Sequence, residues 1–253
     1  MNCALIIGRK GSDGFPGKNL LSVLGRPLAS YCMMAASKSK YIDKAYISTD
    51  CEDLKEIAKS FNIEFISRPD HLSGSEALGE DVYRHGYEVI NKRLISEGHT
   101  MKTISLMMCN APTITVDLLD QGIKKLLENP EADSAVSVSV YNMWSPLRAR
   151  KLGQDGFLKP FVPFDYFEGD PYKLSCDRDS QGNVYYADMG VSVVRPHCLE
   201  NMNDGLLPQR WMGRKIIPIE NWGGLDLDYA WQIGMVEFWL REHGFKYAGM
   251  NTG

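Results

Sequence analysis

The apolar run Cys3-Ala4-Leu5-Ile6-Ile7 stops at Gly8 and enters a loop with further glycines at positions 11, 14 and 17. This junction constrains the fold more than any other segment. A short, uninterrupted apolar stretch reads as a strand buried on both faces, and such strands need helices above and below them. The following sequence supplies both. Segments 45–48, 63–66, 103–108, 135–140, 191–194 and 216–219 have strand character. Between them, Pro27 can open a helix carrying Leu28, Tyr31, Cys32 and Ala35 at helical spacing, and Asp50 can cap a helix over 52–61. Residues 76–94 and 116–127 have helical periodicity, and Asp228 can cap a last helix through 229–242 with Ile233, Val236, Trp239 and Leu240 on its apolar face. Strands alternating with helices imply parallel pairing through right-handed crossovers, so the expected fold class is α/β, a doubly wound and mostly parallel sheet.

The alternation fails between about 142 and 188, a stretch rich in Pro, Gly, aromatic and charged residues. We expect an inserted arm of short strands and loops within one domain spanning 1–253. A hydrophobic share of 44% over 253 residues supports a sizeable core. The net charge of -4 supplies no basic field and argues against a nucleic-acid partner. Cys3, Cys32 and Cys109 lie in apolar stretches and read as core residues. The cysteines form no CxxC pair and the histidines show no HxxxH spacing, so zinc is not expected. No run is long and apolar enough for a membrane span or signal segment, and a reducing cytoplasm is the expected setting.

The loop carries the chemistry. Gly11, Gly14 and Gly17 let backbone amides approach an anion, Arg9, Lys10 and Lys18 add cations, and Asn19 adds an amide donor. It is neither a P-loop, which needs Ser or Thr after the lysine where Asn19 stands, nor a dinucleotide GxGxxG. A basic surface turn would not need this density of glycine and cation after a first strand. Phosphate binding follows. Near the other end, Asp226 and Asp228 form a DxD pair. Two carboxylates close to a triphosphate need a hard cation such as Mg²⁺ between them, and on an extended segment we expect a twist or kink to bring both to one side.

The segment GRKGSDGFPGKNL from Gly8 resembles the N-terminal signature of the acylneuraminate cytidylyltransferases, the synthetases of CMP-sialic acid and of its Kdo, legionaminate and pseudaminate relatives. The resemblance continues through Ile47-Ser48-Thr49-Asp50, Ser67-Arg68-Pro69 with Leu72 and Ala77, and Asp226-Leu227-Asp228. It implies a Rossmann-like nucleotidyltransferase sheet. It implies transfer of CMP from CTP to the anomeric hydroxyl of an acidic nonulosonate-type sugar, with pyrophosphate released. The residues it places at the nucleotide are Gly8, Arg9, Lys10, Gly11, Ser12, Lys18, Asn19, Arg68, Ala77 and Asn110. Arg9, Lys18 and Asp226 would serve catalysis, Asp226 and Asp228 would hold Mg²⁺, and Arg148, Asp188 and Gly190 would face the acceptor. The arm would exchange across a homodimer. The chain departs from the family pattern at three places: Asn110 stands where Kdo-type relatives have Asp, Ile114 where sialate-type members have Arg, and Asp188-Met189-Gly190 where Asn-Gly is usual. Two alternatives stay open, a nucleotidyltransferase acting on a sugar 1-phosphate or phosphonate, and a non-catalytic nucleotide-binding module.

Overall fold

The computed structural model describes residues 1–11, 14–74, 76–166 and 169–248. In chain order its elements are β1 (Asn2–Ile7), β2 (Ser22–Val23), β3 (Arg26–Pro27), α1 (Ser30–Lys38), β4 (Lys44–Thr49), α2 (Glu52–Ser60), β5 (Glu64–Ser67), α3 (Gly79–Ser96), β6 (Thr103–Met108), α4 (Val116–Glu128), β7 (Ser134–Val140), β8 (Arg150–Leu152), β9 (Leu158–Pro160), β10 (Tyr185–Val194), α5 (His197–Glu200), β11 (Ile216–Glu220) and α6 (Ile233–Glu242). Seven strands form one sheet in the order β11-β7-β10-β6-β1-β4-β5. Every neighbouring pair is parallel except the two made by β10, which runs antiparallel to both β6 and β7. This is the doubly wound, mostly parallel α/β sheet that the alternation predicts.

Strand periodicity explains the two main cores. Ala4 and Ile6 of β1 face one side with Met107, packing against residues of α1, α2 and α4. Cys3 and Leu5 face the other with Ile104 and Leu106, packing against α3 and α5. Gly86 of α3 lies so close to Leu5 that an added Cβ would stand 2.5 Å from its Cδ2, which sets the depth at which α3 seats. A third cluster joins Val23, Leu24, Leu28, Tyr31 and Leu227 to Val236, Trp239 and Leu240 of α6. Pro218 sits in β11, an edge strand, where its missing N–H leaves no gap in the ladder.

Three boundaries differ from the sequence reading. β10 starts at Tyr185 and not at 191, so residues 185–187, expected in the arm, pair with β7 in the main sheet. α3 starts at Gly79, because Leu78 before it is extended (ψ 141°). Asp228 does not cap the last helix. The Gln232 side chain accepts instead from the N–H groups of Asp228 and Tyr229, at 2.7 and 2.8 Å, leaving the Asp228 carboxylate turned elsewhere. Residues 142–184 hold the β8–β9 hairpin and several short 3₁₀ turns, with no α-helix among the described residues.

Candidate nucleotide site and its acidic strap

The sheet itself marks the place for a ligand. From β1 the chain winds outward through β4 and β5, then returns to pair β6 on the other side of β1. Between β1 and β6 the winding reverses, and crevices form outside strand carboxyl ends at such a point. The basic loop leaves β1 there and Asn110 follows β6 there. Gly8 is needed at the exit, since an added Cβ would lie 2.6 Å from the Cys109 Sγ.

A cavity of about 210 Å³ opens at this point, lined by Gly8, Arg9, Gly11, Lys18, Asn19, Arg68, Ala77 and Asn110 together with apolar neighbours. Eight expected nucleotide residues therefore converge. Lys10 borders an adjoining cavity on the far side of the loop, and its N–H donates to Asp50 Oδ1 at 2.9 Å. Ser12 lies outside the described residues. Arg68 is held against the end of β4, its Nη2 donating to the Ser48 carbonyl at 2.5 Å. Burial draws its pKa down while Asp50 opposes that, and a guanidinium keeps its charge regardless. Arg9 donates to the Gly74 carbonyl at 3.3 Å, tying the loop to the opposite rim. Asn19 is largely buried. Its Nδ2 donates to the Arg9 carbonyl at 3.2 Å, while its Oδ1 has no hydrogen-bond partner. A buried orphan acceptor on a cavity wall suits a donor carried by a ligand.

Beside this cavity lies the strap 221–228. The expected kink is not needed. In extended chain, residues i and i+2 share a face. Leu227 is buried in the third core, and Asp226 and Asp228 both point the other way. Asn110 Nδ2 stands 3.4 Å from Asp226 Oδ2 and 3.4 Å from Asp228 Oδ1. Lys18 Nζ meets Asp228 Oδ1 at 2.5 Å. Burial raises the pKa of Asp226, the adjacent Asp228 raises it further, and Lys18 and Asn110 only partly offset this. Paired carboxylates, one half-buried and one exposed, with an amide alongside form an oxygen-rich donor set that fits a hard divalent cation.

The expected acceptor residues lie apart. Arg148 borders a separate cavity with Arg150, Phe164 and Cys176, and its Nη1 donates to the Cys176 carbonyl at 3.1 Å. Asp188 is only 4% exposed, and its oxygens accept from Ser137, Ser139 and the Gly190 N–H. Gly190 is buried under Thr113, whose carbonyl an added Cβ would meet at 2.8 Å. None of the three borders the nucleotide cavity.

His197 and Cys198, adjacent in sequence, converge with Asp133 to within 4.8 Å, a grouping that HxxxH spacing does not reveal. The Asp133 Oδ2 is already held by the N–H groups of Arg214 and Lys215, and Arg210 and Arg214 border the same cavity. The cluster thus pins the turn before β11.

A family model described as cytidylyltransferase matches residues 3–153. The N-acylneuraminate cytidylyltransferase of Escherichia coli O18:K1:H7 is 33% identical over 86 residues, 34% of this chain and 20% of that protein. The pseudaminic acid cytidylyltransferase of Campylobacter jejuni is 28% identical over 130 residues, 51% of this chain and 54% of that protein. These matches therefore span about half the length of one curated relative and a fifth of the other. A longer match, at 24% identity, covers 92% of this chain and 89% of the 3-deoxy-manno-octulosonate cytidylyltransferase of Thermodesulfovibrio yellowstonii. Among solved structures, a CMP:2-keto-3-deoxy-manno-octonic acid synthetase superposes with a TM-score of 0.64 at 15% identity, covering 96% of this chain and 99% of its own. That likeness is one of fold. No helix among the described residues is long and apolar enough to cross a membrane. The matched segment carries the basic loop, Arg68, Ala77 and Asn110, the residues that line the switch-point cavity, and by that match the chain belongs to the cytidylyltransferase family.

Proposed function

We propose that this protein transfers CMP from CTP to the anomeric hydroxyl of an acidic, nonulosonate-type sugar, releasing pyrophosphate. The observation that carries the reading is that Lys18 and Asn110 each belong to two places at once. Both line the cavity, and both contact the acidic pair beside it. A triphosphate in the cavity thus lies next to the Asp226–Asp228 pair, with the Lys18 cation between the two charge systems.

The acceptor oxygen attacks the α-phosphorus in line, the new O–P bond forms, the bond to the β-phosphate oxygen breaks, and the hydroxyl proton passes to water. The protein supplies position and charge. Arg9 and Lys18 neutralise phosphate oxygens. Arg68 and the backbone near Ala77 bound the end of the cavity assigned to the base, and Asn19 Oδ1 accepts from a nucleotide donor. Asp226 and Asp228 would hold Mg²⁺, with Asn110 as a neutral neighbour. Such an ion supplies charge neutralisation at the phosphates and acidifies an attacking hydroxyl. The names of the relatives, which specify N-acylneuraminate, pseudaminic acid and 3-deoxy-manno-octulosonate, support an acidic 2-keto sugar as acceptor. Segment 142–184 would pair two copies, and its exposed Phe157, Leu158 and Phe161 support that assembly.

The test is pyrophosphate release with each of the four ribonucleoside triphosphates against a panel of ulosonic acids, sugar 1-phosphates and phosphonates. Release confined to CTP with a ulosonic acid is expected. Preference for another base, or for a phosphorylated acceptor, would overturn the assignment. Binding of CTP without turnover on any acceptor would do so as well.

A further inference from the structure

The strap that carries Asp226 and Asp228 belongs to no helix or strand, so something else must hold the pair in place. The Leu227 N–H donates to the Asn110 carbonyl at 2.8 Å, and a second branch of the strap's hydrogen bonds leads through Ser139 to one buried carboxylate. We propose that Asp188 is a positioning residue, its carboxylate locking the strap at Gly224 so that Asp226 and Asp228 stand at the nucleotide cavity. The inference rests on the nucleotidyl-transfer reading given above.

Asp188 lies on β10 where the pairing with β7 is interrupted between Ala187 and Ser192. Met189 has φ +62°, a left-handed conformation unusual for a side chain of its kind. This bulge turns Asp188 inward, toward the serines of β7. Ser137 donates to Oδ1, the Gly190 N–H donates to Oδ1 at 3.1 Å, and Ser139 approaches Oδ2 at 3.0 Å. The Ser139 hydroxyl also accepts from the Gly224 N–H at 2.9 Å and reaches the Asn221 carbonyl. Gly224 packs directly on the carboxylate, for a Cβ there would lie 2.4 Å from Asp188 Oδ2 and 2.3 Å from Asn221 Nδ2. Thr113 continues the anchor, accepting from the Leu225 N–H at 2.9 Å, and the Tyr141 hydroxyl donates to the Gly224 carbonyl at 3.0 Å. Asp226 follows immediately.

Among the described residues, the partners of Asp188, which are Ser137, Ser139, Asn221 and the Gly190 N–H, are neutral donors, and burial raises its pKa against the pull of those bonds. A carboxylate kept from water with no cation costs stability that an apolar side chain would not. What it supplies is direction, because charge-assisted hydrogen bonds are shorter and stronger than neutral ones. Asp188 shapes the backbone on which the acidic pair is mounted, and it need touch neither nucleotide nor acceptor.

Asp188→Asn and Gly224→Ala test this from the two sides of one contact. Three readouts apply: hydrogen–deuterium exchange of the ligand-free protein over 221–228, Mn²⁺ affinity by EPR of the free ion, and pyrophosphate release. Both variants should speed exchange of the strap and weaken Mn²⁺ binding by at least about tenfold, the scale of one lost charge-assisted hydrogen bond. Turnover should fall with the KM for CTP unchanged, and protection of β1 and β6 should be retained. Wild-type exchange and Mn²⁺ affinity in both variants would overturn the proposal. So would an even loss of protection across the whole chain. Should Asp188→Asn not fold, Ser139→Ala removes the hydroxyl shared by Asp188 and Gly224 and carries the same readouts. If the wild-type protein releases no pyrophosphate, the transfer reading fails, yet exchange and Mn²⁺ binding still decide the role of Asp188.

Discussion

Lys18 stands where two charge systems meet, its Nζ on Asp228 Oδ1 at 2.5 Å and its stem on the cavity wall. Asp228 is half exposed, so the ion pair itself contributes little to stability. Asp228→Ala should therefore leave the melting temperature close to wild type while pyrophosphate release is lost. Lys18→Met should lower turnover by about 10²–10³, the scale of removing one preorganised contact to a developing charge. A matching fall in thermal stability in either variant would point to a structural role instead. Asp133 behaves in the opposite way. Burial pushes its carboxyl up, but the N–H groups of Lys215 and Arg214 and the His197 ring outweigh this and hold it below the ordinary value. A depressed folded-state pKa contributes stability that is present above the unfolded carboxylate pKa and lost as pH falls through the folded one. Asp133→Ala should cost roughly 2 kcal/mol near neutrality, by the loss of charge-assisted bonds to backbone N–H. Thermal melts from pH 7 downward should show that gap closing below about pH 4. At this scale the sequence was informative about Lys18, Arg68 and the DxD pair, whose neighbours form motifs. It was silent on Ser137, Ser139 and Asn221, ordinary residues that matter only because β10 and the strap come to them.

The β1 exit shows how an element limits a site. Gly8 and Cys109 leave adjacent strands side by side, the Cys109 N–H donating to the Ile7 carbonyl at 2.9 Å. A Cβ on Gly8 would collide with the Cys109 Sγ and with Leu54 of α2 at 2.9 Å. Gly8→Ala should thus destabilise by about 1–3 kcal/mol through overpacking, read by thermal melt, and weaken CTP binding as the loop shifts. All seven strands of the main sheet were legible from apolar runs. Strand direction was not. Nothing in Val191-Ser192-Val193-Val194 announces that β10 enters between β6 and β7 antiparallel to both, because a buried strand reads alike in either direction. The bulge at Asp188 was hidden for a related reason: it is defined by mismatch with a partner strand.

For the molecule as a whole, exposed apolar side chains gather on the segment after β7 as well as around the strap and α6, where Trp222, Trp231 and Phe238 are open. On the β8–β9 hairpin and its flanks, Phe157 and Leu158 are 73% and 70% exposed, and Leu152 and Phe161 lie open beside them. Such a patch favours cover by another protein surface. A dimeric mass is expected by light scattering at micromolar concentration, and Phe157→Asp with Leu158→Asp should return it to a monomer. A monomeric mass for the unaltered protein would count against the pairing of arms.

Periodicity and residue order along the chain were enough for the sheet class, the basic glycine-rich loop at the end of β1 and the family resemblance, because each is a local property of side-chain order and backbone freedom. The placement of Asn110 between two acids more than a hundred residues away, the withdrawal of Asp188 into the interior and the distance of Arg148 from the cavity were decided only by the packed fold. They depend on which strands become neighbours, and that follows from the burial of many side chains together and not from any one segment.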